Sequence, residues 1–387
     1  MGARVESVSS LPELGPRVVF FTGGTALRAL SRELACHTHN SVHLVTPFDS
    51  GGSSAALRRA FGMPAVGDIR NRMLALADTR LVPEAVLAFW ARRLPADGER
   101  GPLVQQLYAL ASEKDPVWED IPRTFAEVLR LYLQYFLEKM PDSFDPRLAC
   151  VGNLLLAGGY VHHRGSFMPV LSFMSRILHV RGVVLPIVNE SLHLAAELDG
   201  GGIVVGQHQI TGRGATLLPA PVSGIFLTVH EPGSPCADNE PCNPRVSPVA
   251  ATHIRAADAI CFPMGSFYTS VLANLLPVGT GRAVVSARCP KFYIPNTGKD
   301  PEQAHLSVAD AVAVLLQTLR ADAGDVPVNR LLHTVLVDTA RGSYPRGIDA
   351  DGIRAQGVAL RDTPLVSDPE HHDAGLTARA VLDLSRP

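Results

Sequence analysis

The feature that most constrains this chain is an apolar run that ends in two glycines and continues as an amphipathic pattern. It reads RVVFFTGGTALRALSREL, in which Leu27, Leu30 and Leu34 recur at helical spacing. This stretch predicts a strand, a tight turn and a helix. SVHLVTPFD predicts a second strand, and ADAICFPMGSFYTSVLANLL predicts a further strand, turn and helix. Alternation of this kind predicts right-handed βαβ units and a parallel sheet.

Between about residues 80 and 150 the pattern is helical only. Segments such as TFAEVLRLYLQYFLEKM follow one another with no strand between them, which predicts a helical insertion. Extended patterns resume with GVVLPIVNESLHLAAEL, GGIVVGQHQIT and GIFLTVHE, and the glycines at 200–202 predict a local hairpin. GRAVVSARCPKFYIPN predicts more strand, and SVADAVAVLLQTLRA predicts a helix that Ser307 and Asp310 open as a capping pair.

HTVLVDT predicts a last strand, after which the chain becomes polar. We therefore expect one α/β domain over residues 1–345, with a mostly parallel sheet, helices on both faces and the insertion described above. Residues 346–387 are expected to be a C-terminal extension or tail of peripheral loops.

Composition limits the classes of partner. The chain has 387 residues, 46% of them hydrophobic, and its 35 basic residues are balanced by 37 acidic ones, so nothing favours nucleic acid or an anionic membrane. No apolar run approaches the ~18 residues that a membrane span needs, and no basic-then-apolar signal opens the sequence, so we expect a cytoplasmic protein. Six cysteines without a CxxC pair predict reduced thiols. Monomer and homodimer both stay open.

Three glycine-rich turns share one physical property. In a parallel sheet the carboxyl end of a strand opens onto a helix N-terminus, where unpaired N–H groups and the helix dipole attract anions. Three such turns on one edge predict a site for a phosphorylated, nucleotide-like ligand. For a single turn, the simple need of a tight βα connection for glycine is an equally good explanation. The turns contain Gly23, Gly24 and Thr25, then Gly51, Gly52 and Ser53, and finally Gly265 and Ser266.

Asp49 directly precedes the second turn. A carboxylate among phosphate-binding groups favours a divalent cation such as Mg²⁺, although an Asx-turn is the alternative. Asp68, Arg70 and Asn71 add a carboxylate, a guanidinium suited to phosphate and an amide, and a solvated helix start capped by Asp68 is their alternative. The GxxxxGK[ST] motif is absent and the first turn lacks a third glycine, which disfavours a P-loop enzyme and a dinucleotide fingerprint.

Six segments in order resemble the 2-phospho-L-lactate transferase (CofD-like) superfamily. They read FTGGTALRAL, TPFDSGGSSAALR, GDIRN, NESLHLAAEL, ADAICFPMGSFYTSVLANLLP and KFYIPN, and the likeness spans about Val18 to Leu319. These segments are more similar to the bacterial branch called gluconeogenesis factors than to the transferases of deazaflavin coenzyme synthesis. The sequence resembles an outlying CofD-like subgroup.

This resemblance implies a Rossmann-like fold with a cleft at the strand ends. The transferase branch moves a phospholactyl group from a guanosine diphosphate-linked donor to a deazaflavin alcohol, with magnesium. The other branch is regarded as regulatory and binds UDP-sugars or nicotinamide dinucleotides. By position, the likeness makes Asp49 and Asp68 catalytic, with Asp49 also the metal ligand. Ligand-binding positions that it adds to the turns are Tyr268, Thr269, Ser270 and Asn296.

Two functions are therefore expected to compete. The first is transfer of a phosphorylated group from a GDP-, UDP- or NAD-type nucleotide with an altered substrate, and the second is non-catalytic regulation through a UDP-sugar or NAD(P). Ser50 stands where the bacterial pattern has a second aspartate, and Ala26 and Ala55 replace glycines. Loss of one carboxylate weakens a Mg²⁺ site and added methyl groups narrow a phosphate path, so efficient phospholactate transfer to the deazaflavin is not expected.

Overall fold

The structure, a computed structural model, describes residues 11–211, 218–233 and 240–385. Its strands are β1 (Val18–Thr22), β2 (Val42–Val45), β3 (Val183–Pro186), β4 (His193–Leu198), β5 (Ile203–Val205), β6 (Val222–Thr228), β7 (Ala259–Phe262), β8 (Lys291–Tyr293), β9 (Thr334–Val337), β10 (Ala359–Asp362), β11 (Val366–Asp368) and β12 (His371–His372).

Its α-helices are α1 (Arg28–Leu34), α2 (Gly52–Phe61), α3 (Gly67–Leu76), α4 (Glu84–Ala91), α5 (Arg100–Leu110), α6 (Arg123–Lys139), α7 (Val151–His162), α8 (Phe167–Ile177), α9 (Gln207–Ile210), α10 (Pro248–Arg255), α11 (Thr280–Ser286), α12 (Val308–Ala323), α13 (Ala350–Ala355) and α14 (Ala374–Leu384). A π-helical turn covers Phe267–Val271. Turns of 3-10 helix cover Pro12–Leu14, Pro116–Glu119, Leu272–Leu275, Pro301–Gln303 and Val328–Arg330.

Seven parallel strands form the central sheet in the order β10-β9-β8-β7-β1-β2-β3. The chain runs outward from β1 through β2 to β3, returns to β7 on the other side of β1, and then runs outward to β10. This reversal leaves a crevice at the carboxyl ends of β1 and β7, where ligands bind in open α/β sheets. The predicted Rossmann-like α/β fold is confirmed.

Helices cover both faces of the sheet because the side chains of β1 alternate. Val19 and Phe21 point into a core that includes residues of α10, α11 and α12. Val18 and Phe20 point into a second core with residues of α1 and α14. All four side chains are fully buried, as expected for a central strand of a parallel sheet.

The predicted helical insertion is longer than residues 80–150. Helices α4 to α8 carry the chain to Ile177, and no strand lies between β2 and β3 in this fully described stretch. These helices bury their own apolar cluster, which includes Trp90, Leu129, Phe136 and Leu155. A Cβ at Gly158 would overlap the Tyr132 carbonyl, so that glycine lets the backbones of α6 and α7 touch. No helix of the described residues is long and apolar enough to cross a membrane.

Two segments predicted as strands are helical. GRAVVS lies in α11, where Asp322 of α12 accepts hydrogen bonds from the N–H groups of Gly279 (2.9 Å) and Arg282 (3.0 Å) and so caps the helix from a distance. QHQI forms α9, which follows Gly206 with φ of 111°. In α11, the cap that Asp322 supplies overrides the preference of the β-branched residues in GRAVVS for strands. The capping box of Ser307 and Asp310 is confirmed.

A small antiparallel sheet, β5-β4-β6, stands beside the main one, and the glycines at 200–202 make the predicted hairpin. Residues 346–387 do not form the peripheral loops that the sequence predicted. Strand β10 pairs in parallel with β9, so HTVLVDT is not the last strand, and Val366 and Val381 are fully buried. The hydrophobic pattern of the sequence did not reveal β10, because it is an edge strand with mostly exposed side chains. Five cysteines are free thiols, and Cys236 lies outside the described residues.

Candidate functional site

The three glycine-rich turns follow β1, β2 and β7 and meet around a cleft of about 400 Å³. They converge there because these strands are neighbours or next-neighbours whose carboxyl ends share one edge. Most of the predicted site residues line this cleft: Gly23, Gly24, Thr25, Asp49, Gly51, Gly52, Ser53, Asp68, Arg70, Asn71, Gly265, Ser266 and Ser270.

The first turn needs its glycines for space. A Cβ at Gly23 would overlap the Ser270 hydroxyl, and one at Gly24 would overlap the Asp68 carboxylate. Asp68 lies in the first turn of α3 and does not cap it, so the predicted N-cap is wrong. The carboxylate instead lies against the glycine turn at the edge of the cleft.

Arg72 supports the first turn from inside the protein. Its buried guanidinium donates hydrogen bonds to the Gly23 carbonyl (2.8 Å), Thr22 Oγ1 (3.1 Å) and Ser31 Oγ (2.6 Å). Burial lowers the pKa of Arg72 to about 10, so the side chain remains charged at neutral pH. This places one fixed positive charge directly behind the glycine turn.

The second turn contains the Asx-turn that was the alternative for Asp49. Its Oδ1 accepts a hydrogen bond from the Gly51 N–H at 3.0 Å. Its Oδ2 lies close to Gly67, because a Cβ placed on Gly67 would be 3.3 Å from this oxygen. Helix α2 follows from Gly52, at φ of 49°, and has no side-chain N-cap. Its first N–H groups are therefore available at the edge of the cleft.

Ser50 turns away from Asp49. Its hydroxyl lies 2.7 Å from His208 Nδ1 and 3.3 Å from the His208 backbone nitrogen. His208 lines the cleft from α9, whereas Ser50 does not. Ser50 stands where a second metal-binding carboxylate was expected. Through these contacts it joins the turn before α2 to α9.

The third turn is built differently from the prediction. Asn296 accepts from the Gly265 N–H and donates to the Gly265 carbonyl, both at 2.7 Å, so it supports the turn and does not line the cleft. Ser266 directly precedes the π-helical turn, and its side chain makes no capping hydrogen bond to that turn. Tyr268 and Thr269, which the resemblance made ligand-binding positions, also lie outside the residues that line the cleft.

Two cations supply positive charge to the cleft. Arg70 is buried and Arg93 is exposed, and both line the cleft. Burial lowers the pKa of Arg70 and the nearby Arg93 lowers it further, whereas Asp68 acts in the opposite direction. An anionic ligand would relieve both the repulsion and the desolvation.

Several lining residues carried no sequence signal. Asn153 from α7 donates to Ser53 Oγ at 2.9 Å, and its buried Oδ1 has no hydrogen-bond partner among the described residues. The segment that supplies His208 was predicted as a strand, which hid its role. Ser54 and Met264 also line the cleft and adjoin the predicted turns. Tertiary packing alone brings the other unpredicted residues there: Arg93, Asn153, Gln207, His208 and Thr211.

Comparisons with known proteins agree with this geometry. The sequence profile of the family "2-phospho-L-lactate transferase CofD" matches residues 18–366. The chain is 29% identical over 383 residues to the gluconeogenesis factor of Bacillus subtilis, covering 95% of this chain and 98% of that protein. It is 28% identical over 377 residues to the gluconeogenesis factor of Halalkalibacterium halodurans, covering 95% of each.

A solved structure is similar as well. The crystal structure of a UPF0052 family member from Bacillus halodurans is 26% identical, with a TM-score of 0.68, and the match covers 95% of this chain and 99% of that one. The profile match spans most of the chain and includes all three turns of the cleft. The chain therefore belongs to the CofD family, and its similarities lie with the gluconeogenesis-factor branch of that family.

Proposed function

We propose that the cleft binds a nucleotide through its diphosphate and that the protein is a regulatory binder of the gluconeogenesis-factor type. The observation that carries this proposal is the convergence of three glycine-rich turns with Arg70 and Arg93 on one cleft. Backbone N–H groups at the start of α2 and two guanidinium groups form a donor set suited to phosphate oxygens. A cleft of about 400 Å³ is within the range of small-molecule sites.

A divalent cation, proposed as Mg²⁺, fits this site only together with the ligand. No group of three or more His, Cys, Asp or Glu side chains among the described residues is arranged to hold a metal ion. Mg²⁺ is commonly held by one or two carboxylates while phosphate oxygens and water complete its shell. Asp49 would supply that carboxylate through Oδ2, since Oδ1 is engaged by Gly51. The cation would neutralise charge on the diphosphate.

Transfer of a phosphorylated group is the second candidate, because Asp49 and Asp68 both line the cleft. In that reaction the glycine turns and Arg70 would hold and orient the diphosphate while an acceptor alcohol attacks. We place it second because Ser50 faces His208, so Asp49 has no carboxylate partner at the next position. The names of the relatives also favour regulation.

Ligand binding is tested by thermal unfolding and calorimetry with GDP, UDP-glucose and NAD, each with and without Mg²⁺. A ligand at 100 times its dissociation constant stabilises the folded state by about 2.7 kcal/mol, which raises Tm by about 3 °C in a chain of this size. We expect at least one of the three to do so. The proposal is wrong if none shifts Tm at millimolar concentration.

The same ligands separate the two candidates. Transfer releases a nucleoside monophosphate from a diphosphate-linked donor, whereas binding alone leaves the donor intact. We expect the bound donor to be recovered unchanged after incubation with Mg²⁺ and with primary alcohols as acceptors. Release of monophosphate that depends on an acceptor would instead make transfer the function.

A further inference from the structure

A second cavity of about 360 Å³ adjoins the cleft. Gly52 and His208 line both spaces, so the two meet at the start of α2. The functional proposal above uses only the cleft. The second space, which we call the side cavity, is also lined by Arg58, Arg59 and His193.

His208 stands between the two spaces in a fixed orientation. Its backbone N–H donates to Ser50 Oγ, and the same hydroxyl lies 2.7 Å from Nδ1. A hydroxyl that accepts from the backbone can donate its own hydrogen to Nδ1, which leaves the proton of the neutral ring on Nε2. His208 therefore offers an N–H donor where the cleft opens into the side cavity.

His193 on β4 is a buried polar group that the fold leaves unused. Only 8% of the residue is exposed, and Nδ1 has no hydrogen-bond partner among the described residues. Burial, and next the nearby Arg58, lower the pKa of His193 to about 4, so the ring is neutral at pH 7. A buried polar group without a partner costs stability and needs an explanation, and a ligand is one.

The charge of the side cavity is positive. Arg58 is buried and donates to the carbonyls of Leu192 (2.5 Å) and Phe48 (3.4 Å), and it forms no ion pair with a carboxylate of the described residues. Arg59 is exposed and forms no ion pair within the described ranges. Among the described residues, Glu231 is the carboxylate that lines this space. Two guanidinium groups against one carboxylate favour an anion.

We propose that the side cavity binds an anionic group that its ligand carries about one sugar ring away from the diphosphate. This inference rests on the proposed binding of a nucleotide diphosphate in the cleft. The side cavity begins at Gly52, where the second turn starts α2, so a sugar attached to the diphosphate reaches past His208 toward Arg59. The carboxylate of a nucleotide-linked uronic acid and the 2′-phosphate of a dinucleotide share this chemistry.

Two matched ligand pairs test the proposal and distinguish these sources. UDP-glucose and UDP-glucuronate differ by a carboxylate, and NAD and NADP differ by one phosphate. We expect the anionic member of one pair to bind at least ~10-fold more tightly in calorimetry, which corresponds to about 1.4 kcal/mol. The pair that shows this preference identifies the carboxylate or the phosphate as the natural group.

Arg59→Gln assigns the preference to the side cavity. We expect this variant to lose the preference for the anionic ligand while its affinity for the neutral member stays unchanged, because Arg59 does not line the cleft. Arg176→Gln removes an exposed arginine of α8 and should leave both affinities unchanged. His193→Phe, with folding checked by its melting curve, should weaken binding of the anionic member alone.

Each result decides between the two proposals. Equal affinities within both pairs overturn the inference and leave nucleotide binding in place. Absence of binding by all four ligands overturns the inference, and absence of binding by GDP as well overturns both proposals. If both Arg59→Gln and His193→Phe keep the preference for the anionic ligand, another part of the molecule binds the anionic group. This result also overturns the inference.

Discussion

At the scale of single residues, the two oxygens of Asp49 have different tasks. Oδ1 closes the turn before α2 by accepting from Gly51, so the Asx-turn expected as an alternative is present. Oδ2 is the atom that remains for a cation. The turn role and the cation role of Asp49 are therefore compatible. A substitution that keeps the hydrogen-bond acceptor and removes the charge can separate them.

Asp49→Asn makes that separation. The asparagine carbonyl can still accept from Gly51, so we expect the free energy of unfolding to change by no more than about 1 kcal/mol. Any magnesium dependence of nucleotide binding should disappear, because a neutral amide is a poor ligand for Mg²⁺. Calorimetry with Mg²⁺ and with EDTA measures the difference between the two proteins.

Asp115→Asn is the matched control, since Asp115 accepts from Val117 in a similar turn and does not line the cleft. It should leave the magnesium dependence as it is in the wild type. If Asp49→Asn also leaves that dependence unchanged, the carboxylate has only its turn role.

Arg72→Met tests the buried support of the first turn. The substitution keeps much of the volume but removes the guanidinium donor from Ser31 Oγ and Thr22 Oγ1, and it leaves the Gly23 carbonyl with only the Thr22 hydroxyl as a donor. We expect a loss of about 2–4 kcal/mol in the free energy of unfolding, measured in urea, and weaker nucleotide binding. A loss below about 0.5 kcal/mol would mean that the guanidinium offers no net support.

At the scale of elements, the third turn depends on a segment that follows β8. Glu302 is buried in the short turn Pro301–Gln303 and accepts hydrogen bonds from the backbone N–H groups of Tyr268 (2.7 Å) and Thr269 (3.0 Å) and from Thr269 Oγ1 (2.6 Å). Together with Asn296, it fixes the polypeptide that presents Ser266 and Ser270 to the cleft.

Burial of Glu302 predicts a pH dependence of stability. Burial raises its pKa to about 7, although the hydrogen bonds from Thr269 oppose the shift. A carboxyl group with a higher pKa in the folded state binds more protons there, so its contribution is most favourable below its ordinary pKa and is lost as pH rises to about 7. We expect a loss of about 1–3 kcal/mol from this residue between pH 4.5 and 7.5.

Glu302→Gln isolates this contribution. The amide oxygen can accept from both backbone N–H groups, and the amide nitrogen can donate to the Thr269 hydroxyl, so the turn keeps its contacts. We expect the melting temperature of this variant to fall less than that of the wild type over the same pH range. Asp300, whose pKa burial also raises, is present in both proteins. Parallel pH curves for the two proteins would contradict the assignment to Glu302.

At the scale of the whole molecule, the C-terminal residues are part of the fold. Strand β10 extends the central sheet, and α14 packs on α1 through a core that includes Leu365 and Val381. We expect deletion of residues 346–387 to prevent stable folding. Each fully buried apolar side chain contributes about 1.5–3 kcal/mol, and several of them exceed a typical net stability of about 5–15 kcal/mol.

Expression and circular dichroism of the shortened chain measure this outcome. A deletion that stops after Leu384 removes only the last three residues and should fold normally, which makes it the control. Recovery of the longer deletion as a cooperative, soluble fold would show that residues 1–345 suffice, as the sequence pattern first indicated.

The sequence by itself determined the parallel α/β plan and the three glycine turns. Alternating strand and helix patterns fix which residues are buried, and in a parallel sheet the turns after the strands must share one edge. Gly23, Gly51 and Gly265 could therefore be placed at a common cleft without coordinates. The physical reason is that these features depend on local spacing and on one general rule of sheet topology.

The tertiary structure alone decided the long-range contacts that hold the turns of that cleft. Ser50 turns to His208, 158 residues away, and Asn296 and Glu302 reach the third turn from beyond β8. The strand β10 joins the sheet through a backbone pairing that its polar pattern does not reveal. Hydrogen bonds between residues far apart in sequence, and the pairing of an edge strand, depend on where distant segments pack, which local spacing does not encode.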